Sequence, residues 1–434
     1  MTLDKETVVG IIGAGTMGAG IAQIASTNGH EVYLYDAYAE QLPKAKSGLE
    51  KILNRQVEKG RMSQEEVDGI LSRIHFVEDI TEFGKCGFVI EAIVENIDIK
   101  KDAFQRLEGI VSKDCVLASN TSSLSIASIS SALKKPERFL GVHFFNPAPL
   151  MKLVEIIPSV ATDSDLAQST KEFISEWGKI TVLAKDTPGF IVNRVARPFY
   201  SEALRILEEG VADVPTIDWA MKEIGGFRMG PFELMDLIGH DVNYEGTSSV
   251  FKEFYYDPRF KPSFTQKRLV EAGWLGRKSG KGFYNYGEDA KNPDPNTDKE
   301  LGEEILHRIL VMLINEAFDA VFMNIGSAED VDLAMQNGVN YPKGLLAWAE
   351  EIGLEKVLGR MNALGLTECL REYHGQLTPT FKNSRGGKVV HQLDHMFVSG
   401  NLKQLLKQCI LGDASKVFGD SISDHLPVIG DFYS

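Results

Sequence analysis

Apolar positions along the first part of the chain follow two alternating periods. Short runs of β-branched and apolar residues predict strands, and longer segments with apolar residues three to four positions apart predict helices. The first unit has apolar residues at 7–12, a glycine-rich turn, a helical pattern over 17–28 and then the strand-like run "EVYLYD". Further strand-like runs are "CGFVIEAIVE", "DCVLASNTSS", "FLGVHFFNP" and "KLVEIIP". Strands that alternate with helices predict an α/β fold with a mostly parallel sheet.

The pattern changes near residue 185. Strand-like runs almost vanish from "DTPGFIVNR" onward, and helical patterns dominate to about residue 376. The polar segment "GEDAKNPDPNTDK" carries two prolines and predicts a linker. The predicted parts of the chain are an α/β domain (1–185), a helical domain (186–286), the linker (287–299), a second helical segment (300–383) and a tail (384–434).

The two helical segments resemble each other without any gap. Glu202 aligns with Glu316 and Asp218 with Asp332, each pair 114 positions apart (316 − 202). Further matches at this spacing are Met221 with Met335 and Gly239 with Gly353. A single offset predicts a duplicated helical unit whose copies pack on each other to close an apolar face.

Composition narrows the classes of function. The 434 residues carry a net charge of −15 without a long basic run, which argues against nucleic acid or an anionic membrane as the main partner. The four cysteines are scattered and form no CxxC spacing, so neither a metal site nor a disulfide framework is predicted. The N-terminal segment has no signal-peptide pattern, and no window approaches the length of a membrane span. We therefore expect a cytoplasmic protein with reduced thiols.

The turn "GAGTMG" fits the dinucleotide fingerprint G-x-G-x-x-G, and it lies between a predicted strand and a predicted helix. Gly13 permits the tight turn, Gly15 lets the backbone approach a pyrophosphate, and Gly18 lets helix and strand pack closely. Asp36, at the end of the second strand, can accept hydrogen bonds from ribose hydroxyls and would repel a 2′-phosphate. NAD is therefore predicted rather than NADP, while FAD, which uses the same fingerprint, stays open.

Polar clusters follow several of the predicted elements, where a doubly wound sheet binds its ligands. They are "SNTSSL" (119–124), "HFFNP" (143–147), "LVEII" (153–157) and "TPGFIVNR" (187–194).

Two of these clusters contain a candidate acid–base pair. A dehydrogenase needs a base for the hydroxyl proton, which histidine supplies near neutral pH, and a carboxylate can fix the histidine tautomer. His143 lies among aromatic residues, and Glu155 lies inside an apolar run twelve positions later. That span is too long for one helix face but suits two neighbouring strands. A core histidine beside an edge-strand charge is the alternative, and the nearby glycine fingerprint favours the pair.

Several motifs together resemble the NAD-dependent 3-hydroxyacyl-CoA dehydrogenase family, including the 3-hydroxybutyryl-CoA enzymes. They are "GAGTMGAGIA", "EAIVEN", "SNTSSLSI", "GVHFFNPAPLMKLVEII" and "DTPGFIVNR". The resemblance covers residues 7–286, and the second helical segment extends it to tandem members such as the 3-hydroxyadipyl-CoA dehydrogenases. It implies a Rossmann-like NAD-binding domain followed by two all-α repeats similar to the C-terminal domain of 6-phosphogluconate dehydrogenase. It also implies reversible oxidation of a short-chain (S)-3-hydroxyacyl-CoA to the 3-ketoacyl-CoA.

The resemblance assigns roles to residues of this chain. His143 is implied as the base with Glu155 as its partner, and Ser122 and Asn193 as the residues that hold the substrate's hydroxyl and carbonyl oxygens. The implied cofactor-binding residues are Gly13, Gly15, Met17, Gly18, Asp36, Glu95, Lys100 and Asn120.

The acyl-CoA substrate has further implied contacts. Asn146 belongs to the family's HFFNP signature, and Lys59 matches a position that contacts coenzyme A. Lys51 and Arg55 are near alternatives to Lys59.

The second helical segment departs from the first at one position. His307 stands where Asn193 stands in the first copy, and no second glycine fingerprint exists. The second copy is therefore predicted to be structural. In single-repeat relatives two subunits pair through this domain, so we expect either a monomeric pseudo-dimer or a homodimer.

The tail suggests a different relationship. "KVVHQLDHMFVSGNL" and "SDHLPVIGDFYS" resemble the final strands of an endonuclease/exonuclease/phosphatase domain, with Asp394, Asp424 and His425 at matching catalytic positions. The early motifs of that domain have no place in this chain, so a fusion remnant without nuclease activity is predicted. An ordinary extension is the alternative.

Three rival functions stay open at this stage. They are a dehydrogenase of a 3-hydroxy acid without coenzyme A, a non-catalytic cofactor-binding protein, and a bifunctional enzyme with phosphodiesterase activity in the tail.

Overall fold

The computed structural model describes residues 3–363 and six short strands between residues 366 and 432. Backbone contacts group the chain into two compact units, residues 1–348 and 349–434. The first unit begins with a sheet domain and continues into helices.

Eight strands form the sheet of the first unit. They are β1 (Val9–Ile12), β2 (Val32–Tyr35), β3 (Ile74–Val77), β4 (Phe88–Glu91), β5 (Val116–Ser119), β6 (Phe139–Phe144), β7 (Leu153–Pro158) and β8 (Ile180–Leu183). Their order is β3-β2-β1-β4-β5-β6-β7-β8. Neighbours from β3 to β6 run parallel, β7 runs antiparallel to β6, and β8 runs parallel to β7. The mostly parallel α/β sheet predicted from the pattern is confirmed.

The strand order reverses between β1 and β4, which creates a crevice at the carboxyl ends of these two strands. The glycine-rich turn follows β1 directly and therefore opens into that crevice. Strands β1, β4 and β5 are fully buried, because helices cover both faces of the sheet. This burial explains why they read as unbroken apolar runs.

Six helices belong to the sheet domain. They are α1 (Thr16–Thr27), α2 (Gln41–Glu58), α3 (Gln64–Ser72), α4 (Ile97–Glu108), α5 (Ile126–Ser130) and α6 (Ser164–Ser175). The apolar face of α1 and the end of α6 pack on the strands in one continuous core that includes Ile21, Ala25, Phe173 and Trp177.

All regular elements from 192 to 363 are helical. They are α7 (Val192–Val195), α8 (Arg197–Glu208), α9 (Val214–Trp219), α10 (Pro231–Ile238), α11 (His240–Glu253), α12 (Phe264–Glu271), α13 (Lys299–Phe322), α14 (Ala328–Gly338), α15 (Leu345–Ile352) and α16 (Leu354–Ala363). A π-helical turn (Ala220–Ile224) extends α9, and 3₁₀ turns occur at Ile80–Lys85, Pro136–Arg138, Pro258–Phe260 and Arg277–Ser279. None of the helices in the described part of the chain is long and apolar enough to cross a membrane.

The duplicated unit is visible in the helix caps. In the first copy, Asp218 accepts hydrogen bonds from the backbone N–H groups of Phe232 and Glu233, both at 2.9 Å, at the start of α10. The same arrangement recurs at the start of α15. There Asp332 accepts hydrogen bonds from Leu346 at 2.9 Å and Ala347 at 3.0 Å.

A glycine precedes each of these caps. A Cβ atom on Gly230 would lie 2.3 Å from the Asp218 carboxyl group, and one on Gly344 would lie 2.3 Å from that of Asp332. Both copies therefore have a capping aspartate that leaves room only for glycine before the helix, at positions 114 residues apart (344 − 230). This agreement supports the predicted duplication.

The remaining strands are β9 (Leu366–Glu368), β10 (Phe381–Lys382), β11 (Val389–His391), β12 (Phe397–Ser399), β13 (Leu406–Leu411) and β14 (Val428–Phe432). They pair antiparallel as β10 with β11, β12 with β9, and β13 with β14. Asp394, Asp424 and His425, which were predicted to match catalytic positions of a nuclease-like domain, lie outside the described residues.

Candidate active site

The central pair of the site joins two antiparallel strands. His143 on β6 and Glu155 on β7 are direct partners in the register of these strands. Their side chains meet with His143 Nδ1 2.7 Å from Glu155 Oε2. His143 is 5% exposed and Glu155 is fully buried. A buried carboxylate needs partners because an unpaired charge away from water is costly, and His143 is one of them.

The other oxygen of Glu155 binds the backbone at the start of α7. Oε1 accepts hydrogen bonds from the N–H groups of Ile191 and Val192, both at 3.0 Å. A sharp turn aims these groups at the carboxylate, since Gly189 has φ +74° and Phe190 has φ +46°. The left-handed region suits glycine but is strained for phenylalanine. The backbone of "TPGFIVNR" is thus shaped around Glu155.

Aromatic rings surround the histidine. The ring of His143 lies 4.4 Å from that of Phe145 and 5.8 Å from that of Phe190, measured between ring centroids. These rings limit access of water to the pair. The environment therefore restricts the imidazole to few orientations while Glu155 holds Nδ1.

The loop after β5 meets the helical domain next to this pair. Asn193 Nδ2 lies 3.4 Å from the carbonyl oxygen of Ser122, so these two predicted substrate-binding residues are neighbours. Asn120 Oδ1 accepts a hydrogen bond of 2.8 Å from the N–H group of Phe144, the residue after His143. Asn120 therefore fastens the loop to strand β6 beside the histidine.

Glu95 shapes the same loop. Its Oε1 accepts hydrogen bonds from Thr121 Oγ1 at 2.6 Å and from the N–H groups of Ser122 at 3.0 Å and Ser123 at 3.2 Å. Burial alone would raise the pKa of Glu95, but Lys100 and these donors outweigh it and hold the pKa below its ordinary value. Glu95 is thus an ionised anchor for the loop that carries Ser122.

A second buried carboxylate, Glu91, is connected to Glu95 through Lys100. Glu91, at the end of β4, accepts hydrogen bonds from Lys100 Nζ at 2.6 Å, Ser119 Oγ at 2.7 Å and the Ile93 N–H at 2.7 Å. Lys100 is 1% exposed and also lies 3.2 Å from Glu95. The ammonium group therefore faces two carboxylates, the buried Glu91 and the exposed Glu95, and it is linked to the loop through Glu95.

The glycine turn has the geometry that a dinucleotide requires. Gly13 has φ +100°, and a Cβ atom there would lie 2.5 Å from the carbonyl oxygen of Ala92. A Cβ atom on Gly18 would lie 1.8 Å from the carbonyl oxygen of Gly13. Nothing lies within 4 Å of the corresponding position at Gly15. The first and third glycines are therefore needed for packing, whereas the second leaves open space above the turn.

The residues around the turn fit NAD. Helix α1 begins after Gly15 with no side-chain cap and no acidic residue in its first turn, so its first N–H groups are available to phosphate oxygens. Asp36 accepts hydrogen bonds from the N–H groups of Ala14 at 2.7 Å and Tyr38 at 2.9 Å, which holds its carboxylate beside the turn. Met17, on the first turn of α1, is half-buried against the core.

The turn between β6 and β7 carries Asn146, which is exposed and precedes a cis peptide bond to Pro147. Lys179 Nζ donates hydrogen bonds of 2.7 Å to the carbonyl oxygens of Ala148 and Met151 and so braces this turn. Burial lowers the pKa of Lys179 to about 8.

Lys59 is exposed at the C-terminal end of α2. Lys51 and Arg55 are also exposed and precede it by two turns and one turn. The three cations share a helix face, and the structure does not single out one of them as the contact for coenzyme A.

Three supporting residues were missed at the sequence level. They are Glu91, Lys179 and Asp186, whose carboxylate accepts hydrogen bonds from the N–H groups at the start of α5. Glu91 could have been found, because it is a carboxylate inside an apolar run, the signal that drew attention to Glu155. Asp186 begins the quoted motif "DTPGFIVNR" but was given no role there, and Lys179 lies in an ordinary polar position that gives no such signal.

Comparison with known proteins decides the family. The model for "3-hydroxyacyl-CoA dehydrogenase, NAD binding domain" matches residues 8–187. The model for "3-hydroxyacyl-CoA dehydrogenase, C-terminal domain" matches residues 189–286 and again 305–387. The chain belongs to the 3-hydroxyacyl-CoA dehydrogenase family. It is an NAD-dependent oxidoreductase of that family, and the two matches of the C-terminal model fall on the two helical copies.

Individual relatives agree with this assignment. The 3-hydroxyadipyl-CoA dehydrogenase of Escherichia coli K12 is 38% identical over an alignment that covers 87% of this chain and 96% of the relative. The 3-hydroxybutyryl-CoA dehydrogenase of Bradyrhizobium diazoefficiens is 42% identical over 64% of this chain and 94% of its own length.

Solved structures of this family have the same fold. The crystal structure of 3-hydroxybutyryl-CoA dehydrogenase from Escherichia coli K12 superposes with a TM-score of 0.79 at 35% identity, over 87% of this chain and 96% of that one. The (S)-3-hydroxybutyryl-CoA dehydrogenase of Ralstonia eutropha has a TM-score of 0.63 at 35% identity, over 65% of this chain and all of that one.

The endonuclease/exonuclease/phosphatase resemblance of the tail is not borne out. The match to the dehydrogenase C-terminal domain continues to residue 387, inside the segment that was assigned to a foreign tail. Short strand-like motifs that contain an aspartate or a histidine are too unspecific to identify a domain whose other motifs are missing.

Proposed function

We propose that this 3-hydroxyacyl-CoA dehydrogenase oxidises a short-chain (S)-3-hydroxyacyl-CoA and that His143 is its base. The observation that carries the proposal is the buried His143–Glu155 pair beside the loop that joins Ser122 to Asn193. Bound NAD supplies the acceptor for the hydride that leaves C3 of the substrate. The proton of the 3-hydroxyl group has to leave at the same time, and His143 takes it.

The hydrogen-bond pattern assigns the roles of the two ring nitrogens. Nδ1 of His143 is engaged by Glu155, so Nε2 is the nitrogen that receives the proton. The Glu155 carboxylate then stabilises the imidazolium ion, as the carboxylate does in hydrolase triads. The N–H groups of Ile191 and Val192 hold this carboxylate in place. In the reverse direction the imidazolium returns the proton to the substrate oxygen.

The substrate oxygens are held by the neighbouring loop and helix. The hydroxyl group of Ser122 and the amide of Asn193 can donate hydrogen bonds to the oxygens at C3 and at the thioester. Asn146 and Lys59 are proposed as further contacts to the acyl-CoA.

The proposed NAD-binding residues lie at the glycine turn and in the segments that follow neighbouring strands. Gly13, Gly15 and Gly18 with the start of α1 hold the pyrophosphate, and Asp36 holds the adenosine ribose. The other proposed contacts to NAD are Met17, Glu95, Lys100 and Asn120.

The acyl group is proposed from the relatives. One relative is named for 3-hydroxyadipyl-CoA and another for 3-hydroxybutyryl-CoA, so we infer an acyl chain of four to six carbons. The relative that covers 87% of this chain carries the adipyl name, which favours a substrate with a terminal carboxylate.

The test compares substrates in the direction of NADH oxidation, followed by NADH absorbance. We expect turnover of acetoacetyl-CoA and 3-ketoadipyl-CoA, with none of free acetoacetate. Turnover of the free keto acid at a similar kcat/KM would favour the rival that acts on 3-hydroxy acids without coenzyme A. Comparable kcat/KM values for long-chain 3-ketoacyl-CoA would contradict the short-chain assignment.

A further inference from the structure

The second helical copy packs directly against the short helix α7. A Cβ atom on Gly326 would lie 2.7 Å from the side chain of Ile191, and one on Gly338 would lie 2.9 Å from that of Val192. The Lys185 N–H also donates a 2.8 Å hydrogen bond to the carbonyl oxygen of Ile325. Glycines in the second copy thus let it approach the element whose N–H groups hold Glu155.

A buried ion pair fixes this contact. Arg194 on α7 is fully buried, and its Nε donates a 2.6 Å hydrogen bond to Oε1 of Glu316 on α13. Its Nη2 donates a 2.5 Å hydrogen bond to Asp319, one turn further along α13. Glu316 is 1% exposed. A charge-assisted pair in such surroundings has defined geometry, so it sets the position of α7 relative to α13.

Helix α7 in turn defines the reacting centre. Its first residue, Val192, and the preceding Ile191 hold Glu155, which holds His143. Its second residue is Asn193. A shift of α7 would therefore displace the partner of the base and a substrate-binding amide together.

We propose that Glu316, in the second helical copy, is a positioning residue for the reacting centre formed by the first copy and the sheet domain. Glu316 acts through Arg194 on α7, and Asp319 assists it. The second copy then helps to position active-site residues and does more than bury an apolar surface of the first copy. This inference rests on the roles proposed above for His143 and Glu155.

The duplication supplies a matched control. Arg308 and Glu202 occupy the positions equivalent to Arg194 and Glu316, with the donor and acceptor exchanged between the copies. Arg308 Nε donates a 2.8 Å hydrogen bond to Glu202 Oε1, and Glu202 is 5% exposed. This pair has no Asn193 beside it, because the equivalent position is His307. The two pairs are therefore similar in chemistry, but only the Arg194 pair holds helix α7.

The experiment compares Glu316→Gln with Glu202→Gln in the full-length protein. Both changes remove a buried carboxylate that binds an arginine of the other copy. Displacements of about 1 Å at a reacting centre can cost about 10²-fold in rate, so we expect kcat of Glu316→Gln to fall by about 10-fold or more. The KM for NADH should stay within about 2-fold, because none of the proposed NAD contacts lies on α7. Glu202→Gln should keep the wild-type kcat.

Hydrogen exchange gives a readout that does not depend on activity. The N–H groups of Ile191 and Val192 donate hydrogen bonds to Glu155, which should slow their exchange. Exchange of the peptide that contains residues 189–195 should accelerate in Glu316→Gln and stay unchanged in Glu202→Gln. If Glu316→Gln does not fold, Asp319→Asn replaces it, because Asp319 is partly exposed and binds the same arginine.

The outcomes separate the claims. Equal kcat values in Glu316→Gln and Glu202→Gln, or unchanged exchange at 189–195 in Glu316→Gln, would overturn the positioning role. A double variant gives a further test: Glu316→Gln is introduced into His143→Ala. If Glu316→Gln lowers kcat by the same factor there as in the wild-type background, its effect does not pass through the base and the positioning role is overturned. Wild-type protein that lacks NADH oxidation would overturn the proposed function, while the exchange data would still decide whether Glu316 holds α7.

Discussion

At the scale of single residues, the site is built on carboxylates that are buried among apolar strands. Glu155 and Glu91 are both fully buried, and each has a cationic or imidazole partner together with a backbone N–H donor. Burial of an isolated carboxylate would be very unfavourable, so these two side chains can be buried only together with their partners. Each carboxylate also fixes a segment that contributes a proposed site residue.

The Lys100–Glu91 pair yields a stability prediction. Replacement of Lys100 by Met leaves Glu91 buried without its cation. Loss of one partner of a buried ion pair costs about 3–5 kcal/mol, and we expect Lys100→Met to lower the free energy of unfolding by about 3 kcal/mol. Urea unfolding at neutral pH measures the change.

The matched control is Lys85→Met, which removes an exposed partner of Glu82. Such surface pairs contribute little, so the free energy of unfolding should not change beyond experimental error. Equal unfolding midpoints for wild type and Lys100→Met would show that the buried pair is not a stabilising contact.

Sequence reasoning at this scale found the residues whose partners belong to recognised motifs. His143 and Glu155 were predicted as a pair, and the structure places them in contact. Glu91, the first residue of "EAIVEN", was given no role, because its contact with Lys100 joins two different elements. Which side chains of two different elements meet is decided by how the elements pack, and the pattern along the sequence does not contain that information.

At the scale of elements, one aspartate fastens a segment without regular strands to a helix. Asp236 on α10 accepts hydrogen bonds from the N–H groups of Phe283 at 3.0 Å and Tyr284 at 2.9 Å, from Tyr286 Oη at 2.9 Å and from His240 at 2.6 Å. Burial alone would raise the pKa of Asp236, but His240 and the other donors outweigh it and hold the pKa below its ordinary value. The segment 281–286 therefore depends on an ionised Asp236.

This arrangement predicts a dependence of stability on pH. Because the pKa of Asp236 is lowered in the folded state, its contribution is present above the ordinary aspartate pKa of about 3.9 and is lost as pH falls through the lower folded value. Asp236→Asn should be less stable than wild type by about 2–3 kcal/mol at neutral pH. Urea unfolding at several pH values should show this difference narrowing below about pH 4. A difference that stays constant down to acid pH would contradict the ionised anchor.

The pattern predicted most elements but not the shortest ones. The runs that became β1, β4, β5, β6 and β7 are apolar because these strands are buried, and burial leaves a clear signal. Strands β3 and β8 were not predicted, since both are partly exposed and leave a weaker apolar signal. Helix α7 is a single turn whose position is set by Glu155 and Arg194, and four residues cannot show a helical period.

At the scale of the whole molecule, the two helical copies pair around an approximate two-fold axis. Helix α8 of the first copy packs on α13 of the second. Phe227 and Tyr341 are equivalent positions, 114 residues apart (341 − 227), and their rings contact each other with centroids 5.0 Å apart. An isologous interface has this property, since equivalent residues meet at its axis. The first copy thus has its partner surface within the same chain.

This pairing predicts the mass of the protein in solution. A second chain is not needed to cover the first helical copy, so light scattering should give the mass of one 434-residue chain. A mass of two chains that persists on dilution would show that another surface mediates association, and the homodimer would then be the correct alternative.

The assignment of His143 as the base is the central claim, and one measurement tests it most directly. It is the kcat of His143→Gln for NADH oxidation with acetoacetyl-CoA, with NADH affinity determined separately. We expect kcat to fall by about 10²–10⁴-fold, because glutamine cannot exchange the proton, while the Kd for NADH stays within about 2-fold. A kcat close to that of wild type would mean that another group handles the proton, and the roles proposed for Glu155 and Glu316 would fail with that of His143.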